Sequence, residues 1–205
     1  MLKRAFDLVV SLLSLYFFIP IIILISFTIK LATKGPVFYQ GVRVGLNGRP
    51  FRIIKFRSMV VNAEAKGGYS TALNDARLTK IGKFLRKYKL DEIPQLINVL
   101  KGEMSIVGPR PQVEEYTKLY KDEEKIILTV KPGLTDYSSI EFIDLDSILG
   151  DDDVDAKYLQ EIEPKKNELR IKYVKEYSFL KDIKIIIQTI KSILFKFNVL
   201  WSTRD

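Results

Sequence analysis

Two adjacent carboxylates, Asp91 and Glu92, stand in the run Leu90-Asp91-Glu92-Ile93-Pro94-Gln95-Leu96. The apolar spacing that follows, Ile93, Leu96, Ile97 and Leu100, predicts a short helix from about Glu92 to Leu100, closed by Lys101-Gly102. Two readings fit a carboxylate pair at a helix start. In one, Asp91 caps the helix, Glu92 favours the positive end of its dipole, and Pro94 is tolerated in the first turn. In the other, a carboxylate acts as a nucleophile toward phosphorus or as a magnesium ligand, and its neighbour acts as a general base. Arg86 lies five residues upstream of Asp91. Arg110 stands between Pro109 and Pro111, either in a rigid surface turn or in a stiff segment that fixes its guanidinium on a phosphate.

Composition limits the other chemistry. The 205 residues include no His and no Cys, which excludes a thiol nucleophile, an imidazole base, a disulfide framework and a zinc finger. Acid, base and nucleophile must then come from Asp, Glu, Lys, Tyr, Ser or Thr, and any metal should be a hard one such as magnesium. The net charge of +8 predicts an anionic partner: nucleic acid, a phosphate-bearing substrate or an acidic membrane surface. Residues 144–163 hold eight acids against one base, so the remainder is more basic than the whole. That stretch reads as a solvated acidic loop. The length suits one domain with a sizeable core.

Several elements must position these groups. Leu8 to Ile29 carries no charge, and its 22 residues at about 1.5 Å each could just cross a bilayer core of roughly 30 Å. Lys3 and Arg4 precede it and Lys30 and Lys34 follow, so the positive-inside rule draws both ends to the cytoplasmic side. Pro20 in the middle supplies a bend, with Ser11, Ser14, Ser26 and Thr28 as the local hydroxyls for freed backbone groups. The expectation is a re-entrant helix-break-helix over residues 1–34, with a Pro-kinked spanning helix as the alternative. Residues 35–205 would form a single catalytic or binding domain of mixed α/β character, and a catalytic domain on the cytoplasmic face under the family resemblance of its motifs.

Within that domain, Val37-Phe38-Tyr39 and Val42-Arg43-Val44 alternate, Asn47-Gly48 signals a turn, and Phe51 to Phe56 alternates again, predicting a β-hairpin. Leu78, Ile81, Leu85 and Tyr88 are at helical spacing. Val113 to Val130 reads as a polar helical stretch, and helix returns from about Glu161 with Pro164 breaking it early. In 179–201, Phe179, Ile183, Ile186, Ile187, Ile190, Ile193, Leu194 and Phe197 line one side, and Lys181, Lys184, Gln188 and Lys191 another. This predicts either an amphipathic interfacial helix or a core helix with a solvated lysine face.

The ordered motifs resemble those of a known family. They are Val37-Phe38-Tyr39-Gln40, Lys55-Phe56-Arg57-Ser58-Met59, Asp75-Ala76-Arg77-Leu78-Thr79, Gly82 to Arg86, Leu90 to Leu96, Asn98 to Ser105, Val107-Gly108-Pro109-Arg110-Pro111 and Lys131-Pro132-Gly133-Leu134-Thr135. Together they are similar to the bacterial sugar transferases known as monotopic phosphoglycosyl transferases. The resemblance implies a membrane helix broken at Pro20, an enzyme confined to one leaflet, and an active site on the cytoplasmic face of the bacterial inner membrane. It implies that Asp91 attacks the β-phosphate of a UDP-sugar and releases UMP, that Glu92 assists transfer of the phosphosugar to a polyprenyl phosphate, and that magnesium sits on the diphosphate with Asp91. Lys55, Arg57, Arg77, Arg86 and Arg110 become the phosphate-binding residues. Substrates and membrane lipids then replace nucleic acid as the anionic partners, and a homodimer is left open. Lys89, where Ser or Thr is common, and Asp136-Tyr137-Ser138-Ser139, where many members have Gly-Trp-Ala-Gln, depart from the pattern.

Two competing functions differ in chemistry. A DxD glycosyltransferase using Asp144-Leu145-Asp146 would release UDP rather than UMP, and a calcium loop there fails because Ile148 occupies a ligand position. A membrane-tethered scaffold with a basic surface would release neither.

Overall fold

A computed structural model describes residues 1–63, 67–68, 70–72, 74–150 and 153–202, without the side chains of 146 and 196–202. Asp151 and Asp152 of the acidic stretch lie outside the described residues, as do the side chains of Asp146, Phe197 and Trp201. The elements in order are α1 (Leu2–Ala32), β1 (Phe38–Val44), β2 (Pro50–Phe56), α2 (Lys80–Lys87), α3 (Gln95–Lys101), β3 (Ser105–Val107), α4 (Glu114–Thr117), β4 (Gly133–Thr135), α5 (Tyr137–Glu141), α6 (Leu145–Leu149), α7 (Val154–Lys157), α8 (Glu163–Lys175) and α9 (Phe179–Ser202). The fold is thus a mixed helix and strand one.

The expected hairpin is present, with β1 and β2 antiparallel from Phe38 opposite Phe56 to Val44 opposite Pro50. Its tip is broader than a two-residue turn: Gly45 N–H bonds the Arg49 carbonyl at 2.9 Å, and Asn47 and Gly48 take the positive φ their types favour. β3 and β4 pair in parallel, Ser105 opposite Gly133 and Val107 opposite Thr135. The backbones meet closely just beyond, where a Cβ on Gly133 would lie 2.1 Å from the Gly108 nitrogen. Only glycine fits there, and the Pro109-Arg110-Pro111 turn is held against β4 as a result.

α1 is one continuous helix through Pro20, where the sequence predicts a break. Proline's φ is compatible with a helix, and in an apolar setting a lost hydrogen bond costs less than exposing a whole turn of backbone. Two of the predicted hydroxyls bond within their own turns rather than at Tyr16, Ser26 to Ile22 O at 2.6 Å and Thr28 to Leu24 O at 2.8 Å, while Ser11 Oγ is buried without a partner among the described residues. α1 is long and apolar enough to cross a membrane. One stripe of it, Asp7, Val10, Ser11, Leu15, Phe18, Ile22, Ile25 and Ile29, is buried or packed on the rest of the chain. The opposite face is bare, with Phe17 and Leu31 each 72% exposed. The stripe's spacing of three and four residues runs almost the full length of the helix.

The N-terminal end of α1 is pinned by charge. Lys3 pairs with Asp182 of α9 at 2.6 Å, Arg4 donates to the Val99 and Leu100 carbonyls at the end of α3, and Asp7 accepts from Ser105 Oγ and Ile106 N–H. The main core joins Ile53, Leu96, Val99, Met104, Ile106, Val107, Tyr173 and Ile185.

Four further expectations are corrected. Residues 144–163 are not a solvated loop: α6, α7 and a π-helical turn at Tyr158–Ile162 fold there, and Leu149, Tyr158 and Ile162 bury against Val113 and Tyr116. Apolar residues recur between the acids, and Asp155 and Glu163 find partners elsewhere in the chain. Pro164 does not break the helix, because it sits in the first turn of α8, directly after the π turn, which absorbs the missing bond. The 113–130 stretch is not one helix but α4 followed by 3₁₀ turns over Asp122–Thr129. In α9 the core-facing side centres on Asp182 and Ile185, which differs from the predicted apolar face. Leu180, Ile187, Ile190 and Leu194 of that helix remain exposed, 81%, 48%, 53% and 57% respectively.

Candidate active site

Asp91 and Glu92 lie in a 3₁₀ turn, Leu90–Glu92, between α2 and α3. Lys89 opens this turn at φ 56°, a left-handed conformation that is costly for a residue with a Cβ. Lys89 and Pro94 are the N-cap residues of the turn and of α3, so Asp91 caps neither. The capping reading therefore fails for Asp91. Asn98 of α3 fixes this helix to the hairpin: its Oδ1 accepts from Ile54 N–H at 2.9 Å, and its Nδ2 donates to Arg52 O at 2.8 Å and Glu103 at 2.7 Å. That register brings Lys55 of β2 to the carboxylate pair.

The two carboxylates have opposite surroundings. Glu92 Oε1 accepts from Lys55 Nζ at 2.9 Å and from Arg110 Nη2 at 2.5 Å. Burial pushes its carboxyl up, but Arg110, Lys55 and Lys89 outweigh this and hold it well below the usual range. Asp91 is only 6% exposed, and among the described residues nothing donates a hydrogen bond to it. Burial raises its pKa above the ordinary 3.8, with Glu92 adding to the rise while Lys55, Arg86 and Lys89 pull it down. Burial also lowers Lys55, opposed by Glu92; burial acts to lower Arg110 too, but Glu92, together with Asp136 and Asp91, outweighs it and raises Arg110. Environments that split a pair in this way assign its members different work. Glu92 organises two cations and is a poor proton acceptor, whereas Asp91 keeps uncommitted lone pairs in an electropositive setting.

The predicted phosphate-binding residues divide. Lys55 and Arg110 meet at Glu92, and Arg86, whose Nη1 donates to Thr71 Oγ1 at 3.1 Å, adds its charge beside Asp91. Arg57 is not brought to the pair. It is buried, with Nη1 on Lys34 O at 2.9 Å and Nη2 on Thr33 O and Oγ1 at 3.1 and 2.6 Å, tying the end of α1 to β2. Arg77 holds Asp75 at 2.6 Å and the carbonyls of Gly68 and Ser70, organising its own loop. Pro20 lies inside α1.

Arg110 is braced by groups that the spacing argument did not single out. Nη1 donates to Leu134 O at 2.7 Å and its backbone N–H to Asp136 Oδ2 at 3.3 Å. Gln112, two residues on, donates Nε2 to both Glu163 oxygens and to Tyr158 Oη. The Asp-x-x-Ser start of α5 was a legible capping signal for Asp136, but its link to Arg110 crosses 26 residues.

Among the described residues no three His, Cys, Asp or Glu side chains cluster as a metal cage. Magnesium commonly takes one or two carboxylates and fills its octahedron with substrate phosphates and water. The uncommitted Asp91 carboxylate fits that pattern, and Glu92, already held by two cations, does not.

The family model for bacterial sugar transferases matches residues 1–196. A sugar transferase of Bacillus subtilis (strain 168), EpsL, is 37% identical over 94% of this chain and 87% of its own length. The UDP-glucose:undecaprenyl-phosphate glucose-1-phosphate transferase of Escherichia coli (strain K12) is 39% identical over 93% of this chain and 39% of its own. A UDP-N-acetylgalactosamine-undecaprenyl-phosphate N-acetylgalactosaminephosphotransferase of Aeromonas hydrophila is 34% identical over 96% and 44%. The chain thus spans about two fifths of the length of these last two relatives.

Proposed function

The chain belongs to the bacterial sugar transferase family, and on that footing we propose that it is a phosphoglycosyl transferase moving a sugar 1-phosphate from a UDP-sugar to a polyprenyl phosphate, undecaprenyl phosphate in bacteria. This would be the first membrane step of a glycan such as an exopolysaccharide. The observation that carries the reading is the divided carboxylate pair, one member bare among cations and the other holding Lys55 and Arg110.

In the first step an Asp91 carboxylate oxygen attacks the β-phosphorus of the donor. The new Asp–O–P bond forms as the bridging P–O bond breaks, and UMP leaves with the bridging oxygen and its electron pair. In the second, a phosphate oxygen of the lipid attacks the same phosphorus and displaces Asp91, giving a polyprenyl diphosphate sugar and restoring the carboxylate. Positioning and charge neutralisation are the main demands of such transfer. Lys55 and Arg110, fixed by Glu92, and Arg86 beside Asp91 meet both. Glu92 serves as the organiser of these cations and not as a base. Magnesium, held by Asp91 and the donor diphosphate, would neutralise charge on the leaving UMP.

A lipid acceptor requires the site at the bilayer surface. The packed stripe along α1 supports a monotopic placement, since a helix crossing the membrane would carry the domain into the hydrocarbon with it. Both ends of α1 would then face the cytoplasm at the inner membrane, with the bare face toward lipid and the exposed apolar residues of α9 at the interface. A UMP-release screen across UDP-sugars, with magnesium and polyprenyl phosphate, tests the proposal. UMP from at least one donor is expected; release of UDP, or of no nucleotide, would overturn it.

A further inference from the structure

We infer that Asp136 is a positioning residue for the phosphate-clamping Arg110, an inference that rests on the reaction proposed above. Asp136 is fully buried at the junction of β4 and α5, at a position where the sequence departs from the family pattern. Its two oxygens do different work. Oδ1 caps α5, accepting from Ser139 N–H at 2.7 Å, Ser139 Oγ at 2.7 Å and Ser138 Oγ at 2.8 Å. Oδ2 turns to the Pro109-Arg110-Pro111 segment and accepts the Arg110 backbone N–H at 3.3 Å, with Ser138 Oγ at 3.0 Å as its second partner.

A cap alone needs only the first set. The second reaches the one amide in that turn that can donate, since prolines flank Arg110 on both sides and carry none. From the same strand end, Leu134 O takes Arg110 Nη1 at 2.7 Å, and the other terminal nitrogen, Nη2, is directed to Glu92. The guanidinium is therefore set by its backbone anchor at Asp136, its flank at Leu134 and its working contact at Glu92. A shift of the anchor moves the working contact.

Asp136→Asn separates the two tasks. The amide oxygen can keep the cap, because Asn caps about as well as Asp. Its NH₂ would then oppose the Arg110 N–H, donor against donor. The expected result is a folded protein whose kcat/KM for the UDP-sugar falls roughly tenfold or more, as displaced catalytic groups generally cause. In an Arg110→Lys background, Asp136→Asn should add little, because residues acting as one unit are not additive. Asp136→Ser, which retains a capping hydroxyl without the carboxylate, should behave likewise and serves if the Asn variant folds poorly.

Amide hydrogen exchange at Arg110 reads the contact without turnover, and faster exchange is expected in both variants. Unchanged exchange, or fold-losses that simply multiply in the double variant, would overturn the positioning role and leave Asp136 a helix cap. A wild-type protein that releases no UMP from any UDP-sugar would instead overturn the proposed reaction, while the exchange experiment would still decide the Asp136–Arg110 contact.

Discussion

At the scale of single residues, Asp91 and Glu92 have equal formal charge and opposite fates, and this difference makes two predictions. The folded pKa of Asp91 lies above its ordinary 3.8, so ionising it in the native state costs stability at every pH above that ordinary value. Asp91→Asn should therefore abolish turnover yet unfold at a higher temperature than wild type at pH 7, with the advantage fading below about pH 4, where the unfolded carboxyl is protonated too. A variant equally inactive but less stable would show Asp91 to be structural. The second prediction is a rate. Turnover should fall as pH drops through a value above Asp91's ordinary 3.8, because in the proposed reaction the attacking form of Asp91 would be the anion. Glu92 acts with the opposite sign: its folded value is below the ordinary 4.5, so its contribution to stability is present at neutral pH and is lost as pH falls through that low folded value. Stopped-flow UMP release from about pH 2 to 8, beside thermal unfolding over the same range, separates the two. An acid limb at or below 3.8 would contradict the raised Asp91.

At the scale of elements, Arg57, which the resemblance makes a phosphate-binding residue, is placed by the fold away from the carboxylate pair. It stands two residues from Lys55, just past the end of β2, and nothing local separates their roles. The distinction comes from Thr33 and Lys34, more than twenty residues away, whose carbonyls and hydroxyl fill the Arg57 fork. Arg57→Met should thus loosen the docking of α1 on the hairpin and destabilise the protein by about 3 kcal/mol, the order expected when charged hydrogen bonds to buried carbonyls are lost. Its residual activity per folded molecule should stay near wild type, measured as UMP release normalised to the folded fraction; a loss of donor affinity without a loss of stability would return Arg57 to the phosphate site. The acidic stretch was misread for a related reason. Its charge density is visible locally, whereas the partners of Asp155, at Ser70 and Tyr116, and of Glu163, at Gln112 and Arg170, are visible only in the fold. Features whose cause is local were legible: the Asn47-Gly48 turn, the Gly102 helix end at φ 84°, and the carboxylate pair itself. The continuous path of α1 through Pro20 was not, because a proline's effect depends on what surrounds the freed carbonyl.

At the scale of the whole molecule, the proposed reaction would bring two substrates of very different solubility together at Asp91, and α1 would provide the means. One of its faces is docked along the catalytic fold by Lys3, Arg4, Asp7 and the Ile25–Ile29 cluster, and the other is apolar and bare. Placing both ends on one side of the bilayer makes a labelling prediction that the cysteine-free chain suits well. Single cysteines at positions 3 and 34 should both react with an impermeant maleimide only from the cytoplasmic side, and periplasmic labelling of either would contradict the monotopic placement. The central claim is covalent transfer through Asp91, and its most direct test leaves the second substrate out. Protein incubated with the accepted UDP-sugar and magnesium but no polyprenyl phosphate, then quenched and digested, should release up to about one equivalent of UMP and carry the mass of a phosphosugar on the peptide containing Asp91, as a two-step mechanism requires. UMP that appears only when the lipid acceptor is present, with no adduct on Asp91, would contradict the account.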